Sequence, residues 1–196
     1  MQYKVVTKCV VGLGIIFVAL SAIELVFMLL IALTEVYING EMLLIQDLLL
    51  NQDLMPIEGI FLWIFIIMCI CIFMVIGLVF IIIGIKKNLD GPVLAKYLTI
   101  LGMFILVLSF IKLEYIVLLG KSELSFSMKN TLPKFQALLF NNDLTPIPTA
   151  CMWIFLTAVV CSHLMAGLVV AASGINWTLE YERQKEDIDV LKPTIK

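Results

Sequence analysis

Four ionisable side chains stand where hydrocarbon would make them costly: Glu24, Lys112, Glu114 and His163, each inside a run of apolar residues. A charged or titratable group in a membrane helix turns by default toward the bundle interior or a polar cavity. Gathered there, two acids, a lysine and the chain's single histidine would form a protonatable site in a transport or sensing path. The same residues equally serve as interhelical polar contacts, which are common in membranes and modest in energy, and this structural reading is favoured. Metal chemistry is not expected. His163 has no carboxylate or thiolate at ligand spacing, and Cys161, two residues away, falls on another helix face.

The elements that position these residues follow from composition. The chain of 196 residues is 62% hydrophobic and 14% charged, whereas a soluble globule carries charge on roughly a quarter of its residues. Charge is also segregated. Glu24 is the one charged residue between Cys9 and Leu33, and none occurs from Ile60 to Ile85 or from Ala150 to Ile175. Runs of about 25 residues cross a ~30 Å hydrocarbon layer as helices, the form that satisfies its own backbone in lipid. A fourth run, Val93 to Leu119, is interrupted by Lys96, Lys112 and Glu114, yet holds Tyr97 to Ile111 without a charge. The expected fold is therefore an all-α integral membrane protein with four transmembrane helices, at about 9–33, 60–85, 95–119 and 150–175. The first run is too long for a signal-peptide core and holds an internal acid.

Lys and Arg set the orientation. With the N-terminus inside, the inner segments hold Lys4, Lys8, Lys86, Lys87, Lys96, Arg183, Lys185, Lys192 and Lys196, against Lys121, Lys129 and Lys134 in the outer loops. Both termini are thus expected in the cytoplasm. The first outer loop is acidic, with Glu35, Glu41, Asp47, Asp53 and Glu58 and no base. No basic stripe points to nucleic acid.

A shift of 90 residues aligns the two halves without a gap, giving 21 identities over the 74 positions from Gly12 to Ile85. The informative pairs are of rarer residue types: Gly12/Gly102, Glu24/Glu114, Gln46/Gln136, Asn51/Asn141, Asp53/Asp143, Pro56/Pro146, Trp63/Trp153, Cys71/Cys161, Gly77/Gly167 and Gly84/Gly174. Two parallel two-helix repeats are expected, 1–89 and 90–177, with a cytoplasmic tail from 178 to 196 extending the last helix briefly and then fraying. Each loop is expected to hold a short interfacial helix, at Met42–Leu50 and Phe135–Phe140. Asn51 or Asn141 would end it in the left-handed conformation, and Asp53 or Asp143 would cap the next helix.

The remaining candidates are structural or modifying. Gly77 and Gly84, and likewise Gly167 and Gly174, are seven apart on one helix face, and Ala158, Ser162 and Ala166 form a second small-residue ladder, all fit for close helix packing. Trp63 and Trp153 near one boundary, with Tyr97 and Trp177 near the other, fit interfacial belts. Cys9, after Lys8 at the inner start of the first span, stands in a usual setting for S-acylation. Cys9, Cys69, Cys71, Cys151 and Cys161 form no disulfide framework in the outer loops. The sequon Asn176-Trp177-Thr178 falls on the cytoplasmic side and is expected to be unused.

No nucleophile triad, HExxH, CxxC, phosphate-binding loop or cofactor fingerprint occurs, so an enzyme is not expected and no cofactor is implied. The loops lack the cysteine motifs of tetraspanins, claudins and connexins. The expected function is that of a non-enzymatic membrane organiser, adaptor or trafficking factor. It would work in the plasma membrane or an endomembrane, with the lipid bilayer, a homo-oligomer or other membrane proteins as partners. The competing reading is a small oligomeric channel or transporter using Glu24, Glu114, Lys112 and His163.

Overall fold

The structure, a computed structural model, describes residues 2–38, 41–85, 91–125 and 133–191, with side chains from 8 to 185 within those ranges. It is mostly helical. In chain order it runs α1 (Gln2–Ala32), strands β1 (Glu35–Ile38) and β2 (Glu41–Leu44), α2 (Ile45–Leu50), α3 (Ile57–Ile85), α4 (Gly91–Lys121), α5 (Phe135–Leu139) and α6 (Ile147–Leu191). Four helices, α1, α3, α4 and α6, are long and apolar enough to cross a membrane. Their interiors hold no proline, and Pro56 and Pro146 each stand one residue before a helix start, where the missing N–H costs nothing. α6 runs unbroken for 45 residues, about 67 Å at the usual rise, so the segment from Thr178 to Leu191 is helix throughout. Lys86 to Pro92 reads in the sequence as a tight inner turn; its residues 86–90, and the tail's last residues, 192–196, lie outside the described residues, and Gly91 and Pro92 begin α4.

α1 pairs intimately with α3, and α4 with α6; α3 touches α4 less, and α1 touches α6 least. The four thus form a ring in which α1 and α4, and α3 and α6, face each other across diagonals. Glycine makes the two close pairs possible. A Cβ on Gly14 would stand 2.6 Å from the carbonyl oxygen of Gly77, and one on Gly77 would stand 2.8 Å from that of Gly14. In the other pair, Gly102 lies against the backbone of Ala171, Gly167 against Ile105 and Leu106, and Gly174 against Thr99 and Ala95. Gly84 is also buried. These faces are used within the chain, backbone against backbone. Of the ladder Ala158, Ser162 and Ala166, Ala158 and Ser162 are exposed on the outward side of α6, while Ala166 is partly buried against the core.

Buried positions of α3 and α6 recur at a spacing of 90: Trp63/Trp153, Ile66/Leu156, Phe73/His163, Gly77/Gly167 and Gly84/Gly174 are all buried. Those of α1 and α4 recur at 88, as Gly14/Gly102, Phe17/Ile105, Ser21/Ser109, Glu24/Lys112, Met28/Ile116 and Ile31/Leu119. The pairings Gly12/Gly102 and Glu24/Glu114, expected from an ungapped shift, therefore do not describe the structure. Between Leu13 and Glu35 a shift of 88 gives eight identities against three at 90, so the sequence itself prefers the structural register. Two residues of relative slip rotate a helix face by about 200°, which exchanges its inside for its outside.

At the end of the bundle where the connections lie, the chain builds a cap. Met42 to Leu44 form a strand, not the start of an interfacial helix: β1 and β2 pair antiparallel, with Glu35 opposite Leu44 and Ile38 opposite Glu41. Glu-Val-Tyr-Ile before an Asn39-Gly40 dipeptide is a strong local hairpin sequence, and it overrides the short helical reading of the segment. The second connection repeats the motif more weakly, with a bridge between Glu123 and Lys134. Matching hydrogen bonds close both: Ile45 N–H donates to Thr34 O (3.0 Å) and Phe135 N–H to Ser122 O (2.9 Å). Each connection also donates into the other half, Tyr37 N–H to Leu144 O (3.4 Å) and Ser125 N–H to Leu54 O (2.8 Å).

The Asn-x-Asp turns take another form than expected. Asn51 is extended, with φ −89° and ψ 107°, and is not left-handed. Its side-chain oxygen accepts the N–H of Asp53 at 3.0 Å, as Asn141 does for Asp143, which makes two Asx turns. Asp53 and Asp143 stand four residues ahead of α3 and α6, too early to cap them. The carbonyls of Pro56 and Pro146 instead accept the N–H groups of Gly59 and Thr149. Under this cap Phe135 is wedged edge-on against Trp63 and Trp153, at centroid distances of 6.4 and 5.9 Å. The two tryptophans are buried core residues, not interfacial anchors, because Phe135 and the short helices cover them.

Candidate functional site

Each long helix contributes to one buried polar layer. Glu24 and Ser21 come from α1, Phe73 from α3, Lys112 from α4 and His163 from α6. Phe73 and His163 each lie sixteen residues into their helices, about 24 Å from the start, while Glu24 and Lys112 lie eight and nine residues, about 12–14 Å, from the connection-side ends of α1 and α4.

Two diagonals cross here. Along one, Lys112 Nζ donates to Glu24 Oε1, joining α1 to α4, and both side chains are 0% exposed. Along the other, the His163 ring stacks on Phe73 with centroids 4.2 Å apart and planes 17° from parallel. Phe17 lies beside the imidazole at 5.0 Å, its ring 22° from parallel, and also packs on Phe73. Lys112 Nζ stands 5.4 Å from the Phe73 centroid, a cation–π distance that ties the two diagonals together. Four buried atoms find no hydrogen-bond partner among the described residues: Ser21 Oγ, Glu24 Oε2 and both ring nitrogens of His163. Ser109 Oγ, the counterpart of Ser21, donates to Ile105 O at 2.7 Å.

A charge pair in such surroundings is costly to assemble. Removing two ions from water costs several kcal/mol each, which their attraction offsets only in good geometry. Once made, the pair is hard to break one partner at a time, since the survivor is left buried and unpaired. The pair bridges the α1–α3 and α4–α6 helix pairs. No group of three or more metal-ligating side chains occurs among the described residues.

The structure brings together three of the four expected polar residues. Glu114 is not among them. It faces outward on α4, half a turn from Lys112, as the 88-residue register requires. Phe17, Phe73 and Ser21 join the site without having been singled out in the sequence. Ser21 carried a usable signal, its identity with Ser109 at the shift of 88.

The layer is closed on both sides. Toward the connections lie Ile66, Ile70, Leu156 and Val160, and then the cap. Toward the chain ends, Phe17 packs on Phe73 and Phe80 with centroids 6.1 and 6.0 Å apart. Away from this layer, Cys9 is exposed near the chain-terminal end of α1. It borders a crevice of about 470 Å³ between α1 and α6. Compared with known proteins, the chain matches no family model, no curated relative and no solved structure.

Proposed function

We propose that this chain is a four-span integral membrane protein, built from two parallel two-helix repeats with both termini cytoplasmic. We read it as a non-enzymatic organiser, adaptor or trafficking factor. The observation that carries this reading is the enclosure of Glu24, Lys112 and His163, with an aromatic layer on one side and the cap on the other. A permeation path needs polar groups that reach water in at least one state, whereas a structural clasp needs none. Lys and Arg favour the chain-terminal side as cytoplasmic. The recurrence of buried residues at 90 and 88, and the reciprocal hydrogen bonds between the connections, favour two copies about a pseudo-two-fold axis.

The surface offered to partners has two parts. The perimeter is largely apolar, with Ile16, Val26, Phe61, Ile100, Phe110 and Met165 all exposed, and outward Glu114 on α4 breaks it. Beyond the apolar span, α6 continues as a charged helix carrying exposed Glu180, Glu182, Arg183 and Lys185. A continuous helix holds such a segment at a fixed angle to the bundle, which suits a docking arm. Enzymatic activity is not part of the proposal.

The test pairs two assays on the full chain. Reconstituted in liposomes under a proton or potassium gradient, it should pass no more ion than protein-free vesicles. Proximity labelling from the C-terminus should yield a reproducible set of neighbours that is lost when the chain is cut after Trp177. A flux abolished by the double change Glu24→Gln and Lys112→Gln would replace this reading with the channel or transporter.

A further inference from the structure

The crevice between α1 and α6 marks the loosest neighbouring contact in the ring. The glycine faces are already used between α1 and α3 and between α4 and α6, so nothing brings these two backbones together. The gap has a volume of about 470 Å³, within the ~300–1,000 Å³ of ordinary ligand pockets. Its deep wall comes from all four long helices, through Leu13, Phe80, Leu98 and Val170. Its mouth, at the chain-terminal end, carries Ser173, Asn176 and Trp177. Exposed Lys8 immediately precedes Cys9, which lines the crevice.

We propose that this crevice seats one acyl chain of a bilayer glycerophospholipid, with the phosphate held near Lys8 and Asn176. The proposal rests on the membrane-spanning reading above. The walls are apolar and the gap opens on the lipid-facing perimeter, where Val169 is 61% exposed. At that depth the only solvent is hydrocarbon, and an unfilled apolar gap forfeits the dispersion contacts of every atom lining it. Polarity at one end and hydrocarbon along the rest match an amphiphile lying parallel to the helices. A helix of a second copy does not fit, because a helix with its side chains is about 10 Å across and cannot reach Phe80 and Leu98. The exposed cation one residue before lining Cys9 complements a phosphate, and the amphipathic tryptophan suits the headgroup boundary.

The full chain is reconstituted in phosphatidylcholine vesicles doped with a phosphatidylcholine that carries a photoreactive diazirine in its acyl chain. Adducts are then mapped by mass spectrometry. Leu13 and Val170 should label roughly fivefold or more above the perimeter residues Val107 and Phe110, the factor given by about 1 kcal/mol of preference. Ser173→Trp, a change at an exposed position that narrows the mouth, should remove that excess and leave perimeter labelling intact. Ser162→Trp, on the outward face, should not. Uniform labelling overturns the proposal. So does an excess displaced by unlabelled cholesterol and not by unlabelled phosphatidylcholine, or one that appears only when Cys9→Ser removes a thioester-linked chain. Absence of adducts anywhere on the chain would sink the membrane reading itself, a separate failure.

Discussion

Replacing Lys112 by methionine leaves Glu24 without its partner in a layer that water does not reach. Both side chains are fully buried, and Glu24 Oε2 already lacks a hydrogen bond among the described residues, so no neighbour takes over the lost one. Breaking a buried pair from one side costs about 3–5 kcal/mol, a factor of roughly 150 or more in the folding equilibrium. Removing both charges together, as Glu24→Met with Lys112→Met, deletes the desolvation cost with the attraction and should be neutral or stabilising by about 1–4 kcal/mol. The double-mutant cycle therefore carries a coupling energy of several kcal/mol, opposite in sense to additive damage. The assay is equilibrium unfolding in mixed micelles, followed by fluorescence of buried Trp63 and Trp153. Glu114→Gln, on the outward face, is the control and should change stability by less than about 0.5 kcal/mol. Additive single and double effects, or a larger loss for Glu114→Gln than for Lys112→Met, would refute the clasp.

Three further outcomes are expected. Gly14→Leu should disrupt the α1–α3 contact and abolish monodisperse purification, whereas Gly12→Leu, where a Cβ meets nothing within 4 Å, should behave as the natural chain in size-exclusion chromatography. His163→Phe removes two ring nitrogens that have no described partner and places phenyl on phenyl, as its counterpart Phe73 does; the midpoint of thermal unfolding should rise or hold, and a clear fall would mean that the imidazole makes a bond the present geometry lacks. Phe135→Ala should cost about 3–5 kcal/mol by opening a cavity beneath the cap, visible as a red shift of tryptophan emission.

The four long helices were legible from charge segregation alone, because lipid leaves few alternatives to a helix. The helix ends were less so. α1 and α6 run past their apolar cores, since polar residues such as Lys8 and Thr178 continue a helix when no proline or glycine stops it, and α4 begins earlier than expected at Gly91-Pro92, where a first turn tolerates proline. Glu24, Lys112 and His163 were found as misfits in apolar runs, but the aromatic neighbours Phe17 and Phe73 that pack on His163 were not. The shift of 90, set by the tryptophans, prolines and glycines of α3 and α6, was carried into α1, and there it exchanged the inward and outward faces. Glu24 was thereby matched to outward Glu114 when its structural counterpart is Lys112. The hairpin was hidden by a competing apolar count over Met42 to Leu50, although Asn39-Gly40 stood beside it. The burial of Trp63 and Trp153 depends on Phe135, 72 and 18 residues away in sequence, which no local pattern encodes.

Side-specific cysteine labelling tests the central claim most directly. In sealed vesicles, an impermeant maleimide is applied to variants that retain a single reactive thiol, either natural Cys9, Lys185→Cys or Gln52→Cys. Cys9 and Lys185→Cys should react from one face of the membrane and Gln52→Cys from the other. Reaction of Cys9 and Gln52→Cys from the same face would contradict a bundle whose apolar helices each cross the bilayer.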